Sequence, residues 1–239
     1  MKNLLTSFQV GFPTGINSRV PSSKFMDIKE FNIIKFPAVI FSDSHTNLSN
    51  IRRLKELYPD SQFFSLGDIC QLFAKKGDKS NELSIQYFID NKIPSLDSNH
   101  ESHICGVEDG NHLLVLDKSH TIDSGYDLPK HQVEWLTSLP RGFKLILPNG
   151  KNYYCFHNQP LDLWTHPDKI TEIEFREKYI FDDNTLAVIC GHCHTNKIDE
   201  FTPKRILIGQ LAGDDHHTKS QNGGNYLLLT EKGLEFKKL

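Results

Sequence analysis

A short apolar run, Leu186-Ala187-Val188-Ile189-Cys190, stops at Gly191 and is followed by His192-Cys193-His194. Residues two apart on an extended chain point the same way, so His192 and His194 can reach one site. Three chemistries fit this spelling. Cys190 to His194 matches the C-x-x-C-H attachment site of a c-type haem, and Cys190-Gly-His-Cys193 matches a thioredoxin-like dithiol. The third reading is a pair of imidazole metal ligands. A dithiol calls for a helix starting at its first cysteine, which lowers the thiol pKa, but His194-Thr195-Asn196-Lys197 has no apolar helical period.

Other candidate residues fall into the same pattern. Asp43 and His45 follow the apolar run Phe36–Phe41, and Asp68 follows Gln62–Leu66. Asn99 and His100 come after Ile93–Leu96, and His157 comes after Tyr153–Phe156. Each run is short, apolar and closed by a polar or glycine break, as a buried strand is. Open α/β sheets collect their ligands at strand C-termini, which lets residues distant in sequence meet. Aspartate, asparagine and imidazole together suit manganese, iron or zinc. Even without His100 the set exceeds what one tetrahedral ion needs. It implies two ions ~3.5 to 4 Å apart with one carboxylate between them.

The elements that must position these residues alternate. Ser49–Tyr58 has Ile51, Leu54, Leu57 and Tyr58 at helical spacing with Pro59 beyond, and Ser80–Asn91 places Leu83, Tyr87, Phe88 and Ile89 roughly on one side. With the runs between them they give the strand, helix, strand order of βαβ units. Leu128–Leu136 reads as a helix with proline in its first turn, turning Val133, Trp135 and Leu136 to the core. Asn149-Gly150 between two apolar runs is a hairpin signal, and Thr171-Glu172-Ile173-Glu174 is a capping box opening a helix to about Tyr179. Arg205–Ile208, Tyr226–Leu229 and Leu234–Lys238 read as further strands.

At 239 residues and 38% hydrophobic content the chain can bury one substantial core. No stretch approaches the ~20 apolar residues of a membrane span, and the N-terminus lacks the apolar core of a signal peptide. Five cysteines, an odd number, fit a reducing compartment, so a cytoplasmic location is expected. The net charge of −3 gives no footprint for non-specific nucleic-acid binding, leaving nucleic acid as a candidate only in the role of substrate. Residues 1–36, punctuated by Gly11, Pro13, Gly15 and Pro21, read as a surface extension, with an added edge element or a cover over the site as alternatives. No linker or repeat divides 37–239, which is read as one catalytic domain.

In chain order the motifs are D-x-H (Asp43, His45), G-D (Asp68), N-H-E (Asn99, His100), His157 and G-H-x-H (His192, His194). This order resembles the calcineurin-like metallophosphoesterase family over roughly residues 37–239. The resemblance implies an α/β fold of two mixed β-sheets packed as a sandwich flanked by helices. It implies one ion held by Asp43, His45, Asp68 and His194 and another by Asp68, Asn99, His157 and His192, the ions being Mn, Fe or Zn in divalent or trivalent form. It further implies hydrolysis of a phosphomonoester or phosphodiester, a nucleotide among the candidates, by in-line attack of a metal-bridging hydroxide, with His100 beside the leaving oxygen. A non-catalytic metal-binding scaffold of the same fold, and a redox protein using Cys190, Cys193 and His194, are the alternatives.

The sequence departs from that family in several places. Ser98-Asn99-His100 stands where Gly-Asn-His is usual, and His157-Asn158 where His-Gly is common. The serine/threonine phosphatase branch has G-D-x-x-D-R-G, whereas Asp68 is followed by Ile69-Cys70-Gln71-Leu72, which points away from that branch. Gln71 occupies the place of the histidine-orienting aspartate, and Lys75 and Lys76 are candidate substitutes for the missing arginine, although a loop pair is ordinarily solvated. His103, His112, His120 and His131, and the Asp214-Asp215-His216-His217 turn, read as surface or structural residues.

Overall fold

The computed structural model describes residues 27–72, 78–105, 128–159, 165–212 and 223–239. Lys75, Lys76, His112, His120, Asp214, Asp215, His216, His217 and residues 1–26 lie outside them.

Two sheets form the centre. One has six strands in the order β1 (Ile28–Asn32), β4 (Gly142–Ile146), β5 (Asn152–Phe156), β6 (Thr185–Cys190), β8 (Lys204–Leu207) and β7 (Lys197–Asp199). The other runs β10 (Gly233–Lys238), β9 (Asn225–Thr230), β2 (Ala38–Phe41) and β3 (Gln62–Ser65). Both mix parallel and antiparallel pairs.

Strand alternation explains why the sheets stack. In β2, Ala38 and Ile40 face the other sheet and join Phe64, Phe143, Cys155, Ile189 and Leu227 in the central core. Val39 and Phe41 face outward and pack with Ile51 and Leu54 of α1 (Leu48–Leu57) and Ile85 and Phe88 of α2 (Ser80–Asp90). Across the molecule, Tyr154, Phe156, Val188 and Cys190 face outward under Phe175 of α5 (Glu172–Lys178). The expected helix-flanked sandwich is therefore the observed one. The two remaining described helices are α3 (Asn99–Ile104) and α4 (Lys130–Thr137). The capping box at Thr171 and Glu174 and the hairpin around Asn149-Gly150 both form.

Three details differ from expectation. Part of the first 36 residues is an edge strand: β1 pairs in parallel with β4, and Phe31 meets Phe64 and Phe143 edge-on at 5.3 and 5.1 Å. The run Ile93–Leu96 is not a full strand, since only Ser95 bridges to Ser65. In α2, Leu83 is 58% exposed while Asn81, Ser84, Ile85 and Phe88 are buried. Two polar residues sit on that inner face because they hold a loop: Asn81 bonds the backbone of Gln71 in both directions, and Ser84 donates to the Ile69 carbonyl.

Candidate metal centre

The chain turns sharply after β2, β3 and β6, and ligand candidates sit in those turns. Asp43, His45, Asp68, His192 and His194 all have φ between 40° and 65°. An L-residue in this left-handed region costs about 1–2 kcal/mol, least for residues with short polar side chains. Five together cost on the order of 5 kcal/mol, a large fraction of a typical domain's stability, and such strain collects at functional sites. The glycines ahead of them are sterically required. A Cβ on Gly191 would lie 2.0 Å from Ser42 Oγ, and one on Gly67, at φ +102°, would lie 2.8 Å from Ser98 Cβ.

The turns bring the sequence-selected residues together. Donor atoms of Asp43, His45, Asp68 and His194 lie within 4.8 Å of one another, and so do those of Asp68, His157 and His192. Asp68 belongs to both groups. Between neighbours, His194 Nε2 is 3.1 Å from Asp43 Oδ1 and 3.4 Å from His45 Nε2. On the other side, His157 Nε2 is 3.3 Å from Asp68 Oδ1, 3.0 Å from Asn99 Oδ1 and 3.2 Å from His192 Nδ1. His100 stands beside both groups, with Nε2 3.7 Å from Asp68 Oδ2.

The donor chemistry fits cations. A carbonyl can only accept, so His157 Nδ1 donates to Leu66 and His45 Nδ1 donates to Cys70, which leaves each Nε2 with a lone pair facing inward. These lone pairs meet carboxylate oxygens and other imidazole nitrogens, and only a positive charge between them reconciles so many acceptors. Electrostatics agree. Burial opposes a charged imidazole at His157, yet Asp68, supported by Asp43 and Glu101, pushes it up to about 9, so without a cation a proton on Nε2 supplies the positive charge, and the lone pair is freed when a cation replaces that proton. Burial alone would raise Asp43 and Asp68, but the facing imidazoles hold both carboxyls well below their ordinary range. His192, buried and beside His157, is pushed down to about 4 and stays neutral as a ligand must.

Sequence reading missed the part that holds this together. Glu101 is fully buried, and its carboxylate accepts the backbone N–H groups of Asp68, Ile69 and Cys70 at 2.9, 3.0 and 3.0 Å. Ser98 Oγ lies against both Asp68 and Glu101, so the side chain standing where a bare glycine is usual joins two carboxyls. Burial, reinforced by the Asp68 charge, raises Glu101 to about 7. Gln71 is bypassed: the Cys70 carbonyl receives His100 Nδ1 at 2.8 Å.

The thiol chemistry does not suit the dithiol reading. Cys190 ends β6 with its side chain in the outer core under α5, and burial pushes its thiol up to about 12. A reactive dithiol needs the opposite shift.

No family model and no curated protein matches the chain. Solved structures do. A metallophosphoesterase from Sphaerobacter thermophilus superposes with a TM-score of 0.58 at 16% identity, covering 85% of this chain and 88% of that one. The chain has the metallophosphoesterase fold. A serine/threonine protein phosphatase from Saccharomyces cerevisiae also aligns, with a TM-score of 0.56 at 10% identity over 90% of this chain and 84% of its own. At such identities the likeness is one of fold, and the branch-specific G-D-x-x-D-R-G remains absent from this metallophosphoesterase-like chain. Among the described residues, no helix is long and apolar enough to cross a membrane.

Proposed function

We propose that the protein is a hydrolase of phosphoric monoesters or diesters that works with two transition-metal ions drawn from manganese, iron and zinc. The observation that carries this reading is the pair of ligand groups sharing Asp68. In it, Asp43, His45, Asp68 and His194 hold one ion, and Asp68, Asn99, His157 and His192 hold the other. Two such ions lower the pKa of water, clamp phosphate oxygens and offset the charge that develops in an in-line displacement.

The chain's own residues supply the rest. Asp68 is held at its backbone by Glu101 and at its carboxylate by the Ser98 hydroxyl, which orients the shared carboxylate. His100 is oriented by the Cys70 carbonyl and presents Nε2 to the site; as the imidazolium, a form that burial disfavours and the Asp68 charge favours, it would give its Nε2 proton to the departing oxygen. We take 37–239 as the catalytic domain, with β1 an edge addition from the stretch before it, and the cytoplasm as its location.

The test is a panel of aryl monoesters, aryl diesters, cyclic nucleotides, dinucleoside polyphosphates and single-stranded DNA, offered to metal-stripped and metal-loaded protein. Metal-dependent turnover of at least one class is expected. Protein that loads two ions yet hydrolyses nothing in the panel would instead be the binding scaffold.

A further inference from the structure

At the rim of this centre lies a second set of ligand-type atoms that the two-ion reading leaves unused. His166, Asp168 and Cys193 each bring one donor, and the three lie within 4.8 Å of one another. Asp168 Oδ1 is 3.5 Å from Cys193 Sγ and 3.9 Å from His166 Nδ1. A tetrahedral zinc ion with bonds of about 2.0 to 2.3 Å spaces its ligand atoms roughly 3.3 to 3.5 Å apart. Of the three pairs, Asp168 with Cys193 already has that spacing, His166 with Asp168 needs to close by about half an ångström, and His166 with Cys193 lies within 4.8 Å.

Both pieces of backbone that present these atoms are anchored. His166 and Asp168 flank Pro167 at the start of a 3-10 turn, Pro167–Lys169. Beneath that turn lies Arg205, which is 1% exposed and pairs with Asp199. Its guanidinium donates to the carbonyls of Pro167 and Ile170, on either side of Asp168, and lies 4.5 Å from the Phe201 ring centre. A buried guanidinium that spends its donors on two carbonyls of one turn fixes that turn in place. Opposite it, Cys193 is held by its own tight turn, with its N–H on the Gly191 carbonyl at 2.7 Å. The His166 ring packs on His192 with centroids 4.4 Å apart, which ties the rim to the centre.

We propose that His166, Asp168 and Cys193 form a third metal site for a zinc-like divalent cation, bound through nitrogen, oxygen and sulfur. Three protein ligands leave a fourth position for water or a phosphate oxygen. A thiolate is a soft ligand, so this site prefers zinc or cobalt over manganese, whereas the centre beside it offers only nitrogen and oxygen. Cation uptake displaces the thiol proton to solvent.

Cobalt(II) tests this directly, because only a sulfur ligand gives a thiolate-to-cobalt charge-transfer absorption in the near ultraviolet. Metal-stripped full-length protein titrated with cobalt(II) is expected to take up three ions per chain and to develop that absorption. Cys193→Ser should take up two ions without it. Asp168→Asn, which keeps the thiol, should retain the band but require roughly tenfold or more cobalt to reach it. A wild-type protein that loads two ions with no thiolate band overturns the proposal and leaves the Cys193 to Asp168 contact as a hydrogen bond. A band that survives Cys193→Ser overturns it too. The two-ion reading fails separately, through fewer than two sulfur-free ions in Cys193→Ser.

Discussion

The turn after β3 and the turn after β6 carry the same kinds of residue in the same left-handed backbone, yet they are held differently. In the first, one buried carboxylate, Glu101, takes the N–H groups of Asp68, Ile69 and Cys70, while the Cys70 carbonyl receives His100 and His45. In the second, His192 donates its N–H to Asp43 and Cys193 bonds back to Gly191. The first turn is locked by a side chain from a separate helix, and the second rests on its neighbour and on itself. A carboxylate shared by two ions has to satisfy both geometries at once, whereas a terminal histidine has to satisfy one. The molecule places its strongest clamp where the geometric demand is greatest.

The largest effect should therefore come from the shared residue. Asp68→Asn is expected to drop bound metal from two ions per chain to below one in the sulfur-free positions, measured by elemental analysis after reconstitution. His45→Ala should weaken chiefly one ion and leave the other. Equal losses from the two variants would erase the distinction between shared and terminal ligands.

The clamp itself comes next. Glu101→Ala strands the buried N–H groups of Ile69 and Cys70, each costing about 1–3 kcal/mol when left unpaired, and leaves that of Asp68 with Ser98 Oγ alone. Urea unfolding of the metal-free protein should show a loss of roughly 3 kcal/mol or more. Cys193→Ser, in the self-supported turn, should change the metal-free protein by less than about 1 kcal/mol. Comparable losses from both would mean that Glu101 is no more of an anchor than an ordinary turn bond.

How far the sequence disclosed these turns follows from the same contrast. The ligands were legible because aspartate, asparagine and histidine at the ends of apolar runs have a recognisable chemistry, and the sandwich was legible because β2, β5 and β6 are short and apolar. Glu101 is silent in the sequence, since its partners are backbone N–H groups about 30 residues away that no side chain advertises. Ser84 and Asn81 misled the reading of α2 for a related reason: they face inward to serve the loop of Asp68, so Leu83 was assigned their side. β1 has neither a run of apolar residues nor a local turn, and its partner strand begins more than 100 residues later.

A smaller effect concerns His100, the one site residue read as moving a proton rather than holding metal. His100→Asn should keep both ions and slow hydrolysis of an alkyl phosphate by ~10² to 10⁴, with much less loss on p-nitrophenyl esters whose leaving group needs no proton. Loss of metal, or equal slowing of good and poor leaving groups on a chemistry-limited step, would move His100 from proton donor to ligand or scaffold.

The smallest effect is expected at Gln71, and it bears on whether the locked turn works through backbone or side chain. An aspartate is usual at this place in the protein phosphatase branch, and its absence invites the view that His100 lacks an orienting partner. In this fold His100 Nδ1 already donates to the Cys70 carbonyl at 2.8 Å, and that peptide is held by the Gln71 N–H on Asn81 and, one peptide earlier, by the Glu101 clamp on the Cys70 N–H. An imidazole has one N–H at that nitrogen, so a carboxylate at position 71 could engage it only by displacing a bond that the clamp keeps in place. Gln71→Asp should thus leave the ratio of alkyl to p-nitrophenyl turnover within about twofold, the ±0.5 kcal/mol of a substitution that joins no network. Glu101→Gln, which keeps the shape but removes the charge and one acceptor, should disturb that ratio more. If Gln71→Asp raises alkyl turnover tenfold while Glu101→Gln leaves it unchanged, His100 takes its orientation from side chains, and the backbone clamp serves the metals alone.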